Sequence, residues 1–438
     1  MPRGLTNVRF VEGNFLELGQ HWPEELGRFH YASAHGILSW IARPVREGLY
    51  ACLDAALEPG ALVYLSYNTL PGWISALPMQ HLLRLWQVKE GLPSPEAIEQ
   101  GRQRLVRLVE ANAATVRALP GLKPRIEKLA TQDKNYLIQE YLHDAWTLFW
   151  FDELAAELAP HKLNHVGTAS ASDWYLPGML PAEWREQLNQ QRDAIARETL
   201  LDVLINQSFR RDLWVRGQAP LWPARQREQL YNLRFVLLSR PSPKEEGANP
   251  FVYQTSLGEV QGKPEVYGPL YDALASGPKT VAELMAVPVA QGEANSSATR
   301  SLADSMQALG LMLHAGHVAL MRGALVGQAD KTAKALNRAI ASAVLKGAPY
   351  KFLVAPAYPG VLNASDGDLM LLALSYGHKP QAEMLAQRWV EVLLALGRGL
   401  MRDGQPLTTR EAMLPHATTL AERFLTQTLP QWQRLGIV

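Results

Sequence analysis

Cysteine is almost missing. Cys52 is the one cysteine in 438 residues, which excludes an intrachain disulfide and any cysteine-built metal centre. Long apolar runs are missing as well: none approaches the roughly 18 residues needed to span a bilayer. The opening MPRGLTNVRF has no apolar signal core. Nor is there an excess of either charge. Lys and Arg number 43 against 42 Asp and Glu, for a formal net charge of +1. Nothing here would draw nucleic acid or an anionic membrane by a global field. A cytoplasmic, reducing location is the resulting expectation. Two catalytic signatures are absent, the G-x-S-x-G of serine hydrolases and the Walker-type loop. The one G-x-G, Gly397-Arg398-Gly399, falls inside a helical pattern far from any parallel strand.

Hydrophobic residues make up 47% of the chain, enough for sizeable cores, and the length predicts two or three domains. The first seventy residues alternate between strand and helix patterns. Asn7–Glu12 (NVRFVE) and Phe29–Ala34 (FHYASA) read as short strands, ended by Gly13 and Gly36. Pro44 opens a helix with apolar positions at Val45, Leu49, Cys52, Leu53 and Leu57. Glu58-Pro59-Gly60 should stop it before a buried strand over Ala61–Tyr67. Strand, helix, strand with short connections is a βαβ unit with a parallel sheet.

From Pro78 to Pro160 the pattern is helical. Ser94-Pro95-Glu96 is a helix start, and Phe151–Leu158 a further helix before a strand at Leu163–Gly167. Leu201–Arg216 reads as a short helix and then a strand. The proline-rich, charged Pro241–Pro250 marks a linker. Beyond it, Tyr267–Leu274, Thr280–Met285 and Thr299–Leu309 read as helices and His317–Met321 as a strand, the order of a winged-helix domain. The remainder from Ala329 is mainly helical. The divisions expected are 1–77, 78–160, 161–222, 223–328 and 329–438.

Four stretches carry a family resemblance: NVRFVEGNFLEL (7–18), YASAHGILSWIARPVREGLYACLDAALEPGALVYLSYNTLPGW (31–73), NYLIQEYLHD (135–144) and NQSFRRDLWVRG (206–217). Together they make the chain resemble class I S-adenosylmethionine (SAM) methyltransferases that carry a methyltransferase regulatory domain. Bacterial protein-lysine methyltransferases are among these. The resemblance implies an α/β, Rossmann-like sheet ordered 3-2-1-4-5-7-6, followed by helical and winged-helix-like regions. Here NVRFVE, FHYASA and ALVYLSY stand as strands 3, 4 and 5, with strands 6 and 7 near 163–167 and 209–216. Strands 1 and 2, with the glycine turn and the ribose-binding acid, would lie before Met1. Such a chain is expected to be incomplete, with residues 1–28 displaced or poorly ordered and strand 4 left as an open edge.

The resemblance also implies site residues. Asn14 stands where relatives carry an acid that binds the adenine amino group, and an amide oxygen can still accept that hydrogen bond. Phe15 would pack on the adenine ring or, as readily, in the core. Ala34, His35 and Gly36 lie at the carboxyl end of a parallel strand, where open α/β sheets bind ligands. His35 would face the methyl-transfer centre or serve a structural role, and Ser39 and Trp40 would shape the pocket wall. At the end of the next strand Asn68 could orient an amine nucleophile, and Tyr67 could offer a ring face to a cation. Pro71-Gly72-Trp73 reads as a turn and packing device.

Two histidine pairs, His161/His165 and His314/His317, lack a third ligand nearby, so no metal is expected. The third helix of the winged-helix-like region offers Arg300 and Asp304 and no basic face, which argues against DNA binding. The function implied is SAM-dependent methylation, with a protein lysine as the acceptor. Incompleteness would leave the chain inactive on its own. The alternative is a degenerate, non-catalytic partner protein. A homodimer built on the helical insertion is implied by the resemblance alone.

Overall fold

The computed structural model describes residues 7–170, 173–174, 176–217, 221–243, 247–255, 257–289, 300–321, 331–356, 361–377, 381–402 and 404–438. Part of the expected linker (244–246) and Thr299 lie outside them. The chain divides into two units near Leu221/Trp222.

The first unit begins with Asn7–Gly13, which forms no strand. NVRFVE has the composition of a strand, but a strand exists only where a neighbour takes up its backbone donors and acceptors, and here it has none. The following helix α1 (Phe15–Gln20) corrects the expectation of displacement. It docks on α2 (Arg43–Ala56) so closely that a Cβ on Gly48 would stand 2.9 Å from the Phe15 carbonyl.

Strand β1 (Phe29–Ala34) pairs in parallel with β2 (Leu57–Asn68), Tyr31 opposite Leu62 and Ala34 opposite Leu65. The proline and glycine of Glu58-Pro59-Gly60 do not hold the strand back to Ala61, because α2 ends directly in β2 at Leu57. After β2 come α3 (Leu70–Trp73), α4 (Leu77–Glu90), α5 (Ser94–Glu110), α6 (Ala114–Ala118), α7 (Leu122–Lys128) and α8 (Lys134–Tyr141). These helices enclose a core of their own around Met79, Leu83, Ile98, Leu105, Ile126 and Leu137. Asp133 caps α8, its carboxylate accepting the Tyr136 N–H at 3.0 Å.

Next are α9 (Phe151–Leu158), β3 (Leu163–Thr168), α10 (Leu176–Met179), α11 (Ala182–Gln190), α12 (Ala194–Leu204) and β4 (Phe209–Arg216). The sheet order is β1-β2-β4-β3, with β4 antiparallel to both neighbours. That is the 4-5-7-6 arrangement the family pattern leads one to expect. One face of β2, carrying Val63, Leu65 and Tyr67, is fully buried against Tyr50 and Leu53 of α2 and Phe151, Leu154 and Leu158 of α9. Two-residue periodicity puts those three side chains on one face. At the other edge β1 pairs with β2 alone.

The second unit contains an antiparallel sheet in which Arg234–Leu237 lies between Lys279–Thr280 and Val318–Leu320. Helices Pro264–Ala275, Val281–Met285 and Leu302–His314 belong with it. Arg300 is buried and donates to the Val287 and Val266 carbonyls at 3.2 and 2.6 Å, so it is turned inward rather than presented to solvent. Gly397-Arg398-Gly399 is not helical. The helix ends at Ala395 and Gly397 takes the left-handed conformation, φ +65°, as glycine does past a helix C-terminus. Among the described residues no helix is long and apolar enough to cross a membrane.

Candidate functional site

Strands β1 and β2 end side by side, and their carboxyl ends open onto a cavity of about 290 Å³. Gly36 follows β1, and Ser39 and Trp40 lie on the short 3-10 turn after it. Tyr67 and Asn68 close β2, and Trp73 ends α3. Tyr136 and Glu140, four residues apart on one face of α8, form the facing wall with Ser208 and Phe209 at the start of β4. Five of these linings are aromatic and one, Glu140, is a carboxylate.

The wall is fixed from behind. Ser39 Oγ accepts the Asn68 N–H at 2.9 Å, and the Phe149 N–H reaches the Asn68 carbonyl at 3.0 Å. Gly72 must be glycine, because a Cβ there would stand 2.5 Å from Ser208 Cα. The Arg125 guanidinium lies over the Trp73 ring at 4.6 Å and bonds the Gly72 carbonyl. The Tyr67 hydroxyl donates to Asp212, which Arg210 holds at 2.8 Å. Arg210 also reaches Asp202 at 2.7 Å and Glu198 at 2.8 Å.

Asn68 Nδ2 donates to Glu140 Oε1 at 3.3 Å. Glu140 is 7% exposed, and burial pushes its carboxyl up to about 7, although hydrogen bonds from Asn68 and Tyr136 and the charge of Arg125 act the other way.

Of the residues singled out in the sequence, Gly36, Tyr67 and Asn68 meet at this cavity, and Ser39, Trp40 and Trp73 join them. His35 turns aside. Its Nδ1 lies 2.9 Å from Ser66 Oγ and 3.1 Å from the Tyr64 hydroxyl, and its ring meets Phe209 edge-on. Ala34 is buried at the strand end. Asn14 is exposed and caps α1, accepting the Leu16 N–H at 3.0 Å. Phe15 packs on the core of the sheet. Glu140, Tyr136, Ser208 and Phe209 are additions from the structure. Among the described residues no group of three or more potential metal ligands comes together. His165 is wedged between Phe151 and Trp214, and His317 bonds Tyr271.

Residues 133–216, from the cap of α8 to the end of β4, match the model of a predicted methyltransferase regulatory domain. The Synechocystis protein sll1526 is 32% identical over 436 residues, 99% of this chain and 82% of that protein. The chain belongs to the methyltransferase regulatory-domain family. A second relative, RP789 of Rickettsia prowazekii, is 28% identical over 215 residues, 48% of this chain and 37% of its own length. Among solved structures, PKMT2 from Rickettsia typhi in complex with AdoHcy superposes with a TM-score of 0.65 at 18% identity, covering 97% of this chain and 83% of that one. This family member therefore shares the fold of PKMT2.

Proposed function

We propose that this chain forms part of a SAM-dependent methyltransferase whose acceptor is the side-chain amine of a protein lysine. One observation carries the reading. An aromatic cavity holding one buried carboxylate and one amide opens at the carboxyl ends of two parallel strands, where open α/β sheets place their ligands. The AdoHcy held by the solved PKMT2 structure supports SAM as the donor.

The residues present fit one flank of SAM. Gly36 stands in the left-handed region, φ +62°, with open space where a Cβ would be, so a ligand can approach its backbone closely. The Gly36 N–H, given to Ser66 Oγ at 2.8 Å, holds that turn in place. Of the five residues expected at the cofactor, Gly36 is placed to hold it, whereas Asn14 caps α1, Phe15 and Ala34 pack inward and His35 bonds Ser66 and Tyr64. When bound, SAM supplies a methyl group on a sulfonium that is already a good leaving group. The protein's own task is alignment: Asn68 and Glu140 orient the nitrogen, and Tyr67, Trp40 and Trp73 exclude water around it.

The open edge of β1 and the unpaired Asn7–Gly13 segment support the view that two further strands complete the sheet and the other flank of the cofactor site. In the second unit, the three helices and the small sheet are read as a winged-helix-like module suited to protein packing. The test is a methyl-transfer assay with isotopically labelled SAM on a lysine-rich protein. It compares the 438 residues with the chain extended to supply the two strands proposed to complete the sheet. Transfer by the extended protein, located on lysine by mass spectrometry, is expected. Transfer to another residue type would overturn the lysine assignment.

A further inference from the structure

We propose that Glu140 anchors a primary alkylammonium group in the cavity and receives its proton. The inference rests on the methyltransferase reading for its purpose, but not for its geometry.

Glu140 is the one carboxylate facing the cavity, and Trp40, Tyr67, Trp73, Tyr136 and Phe209 surround it. Aromatic faces attract a cation and accommodate an alkyl stem, and they offer nothing to an anion. An anionic ligand would be repelled by the ionised carboxylate, and a neutral one would bring no charge to offset its burial. The charge of Arg125 does act on the Glu140 carboxyl, but its hydrogen bonds are directed elsewhere. Arg125 is spent on the Trp73 ring, the Gly72 carbonyl and Ser75 Oγ at 3.2 Å. The hydrogen bonds that Glu140 receives come from neutral groups, Asn68 and Tyr136. Among the described residues the carboxylate is thus bonded by neutral donors, with Arg125 acting on it only through its charge.

The proton step follows from desolvation. Burial raises an acid and lowers an ammonium, so bringing the two together inside the cavity moves them toward proton exchange. One N–H bond of the ammonium breaks, its electron pair stays on nitrogen, and the proton bonds to a Glu140 carboxylate oxygen. The amine left behind is neutral and nucleophilic, with Asn68 holding the carboxyl group in place. Asn68 acts here as a positioning residue.

The experiment titrates the 438-residue chain, with no methyl donor present, with three compounds: N-acetyl-lysine methylamide, n-butylamine and the neutral N-acetyl-norleucine methylamide. Quenching of Trp40 and Trp73 fluorescence reports occupancy, checked in Trp40→Phe and Trp73→Phe. Both amines should quench saturably and the norleucine compound at least about tenfold more weakly, as loss of a charge-assisted bond implies. Tighter binding of the lysine compound than of butylamine marks a peptide as the source, and equal binding marks a free amine. Glu140→Gln should lose about tenfold and Glu140→Asp should recover part of it. Circular dichroism melting confirms that the variants fold. Unchanged amine binding in Glu140→Gln, equal binding of norleucine, or no saturable quenching by either amine overturns the proposal. Because SAM is absent, failure of amine binding is separate from failure of the methyltransferase reading, which the transfer assay decides.

Discussion

Asn68 Nδ2 and Glu140 Oε1 meet at 3.3 Å, tying the end of β2 to α8 across 72 residues of sequence. The bond holds a buried carboxylate in a cavity without an ionic partner, and that arrangement has a cost. Burial raises the Glu140 carboxyl from its ordinary 4.5 to about 7. Folding therefore favours the protonated form. The associated stability is complete below about pH 4.5 and is lost as pH rises through about 7. Above that, the ionised group costs the fold up to about 3 kcal/mol. Glu140→Gln should accordingly unfold at higher urea than the natural protein at about pH 8, and at nearly the same urea at about pH 4. Equal midpoints at both values would mean that water reaches the carboxylate freely. A residue that weakens the fold at neutral pH is what a binding site, rather than a packing role, would retain.

Arg210 makes the opposite kind of contribution. It is 4% exposed, its ion pairs with Glu198, Asp202 and Asp212 span 2.7 to 2.8 Å, and it lies 4.1 Å over the Phe151 ring. Arg210→Met would keep the volume and strand Asp202 and Asp212 as buried charges. Removing one member of a buried pair typically costs about 3–5 kcal/mol, and urea unfolding at neutral pH should show a loss of that size. The Tyr67 hydroxyl, bonded to Asp212, should lose its anchor as well, so weakened amine quenching is expected to accompany the loss.

The strand–helix–strand core was legible because its signals are local. Gly36 ends β1, Pro44 opens α2, and apolar residues on α2 and β2 follow the periods of helix and strand. Phe151–Leu158 and the strand after it were readable for the same reason. Asn7–Glu12 misled because strand composition is local and strand pairing is not. Gly397 misled because an apolar helical pattern continues up to the glycine that ends it. Half of the cavity was readable, namely Gly36, Ser39, Trp40, Tyr67 and Asn68, since all lie just past the ends of two adjacent parallel strands. Glu140 was not. It sits in an ordinary helical segment, and its burial depends on α8 packing over the end of a strand far away in sequence. The one local signal was a carboxylate three residues after Leu137 and so on its helical face, where an apolar residue would be usual.

The open edge of β1 predicts association. Among the described residues its outward backbone groups have no partner strand, and large apolar side chains lie on it, with Tyr31 77% and Phe29 44% exposed. Unprotected edges of this kind pair with other chains. Light scattering of the 438-residue protein should show mass rising with concentration. Tyr31→Lys should reduce that rise, because an inserted charge on an edge strand opposes pairing. A mass that stays at one chain across the concentration range would show that something else covers the edge.

Cofactor affinity is predicted by the same geometry. A ligand as large as SAM needs contacts along its whole length to repay the freedom lost on binding. On the proposed reading the chain offers the cofactor one flank at Gly36, since Asn14 spends its side-chain oxygen on the Leu16 N–H and Phe15 packs in the core. Parallel sheets of this kind normally complete such a site with a glycine turn at a neighbouring strand, and β1 has no neighbour on that side. Calorimetric titration of the 438 residues with SAM should therefore give no saturable heat in the micromolar range. Supplying the two strands proposed to complete the sheet should restore it, and Gly36→Val in that completed protein should abolish it again. Gly36 adopts φ +62°, a conformation a β-branched residue rarely accepts, and the new side chain would occupy the space through which the ligand approaches. Micromolar binding by the 438 residues alone would show that this one flank suffices.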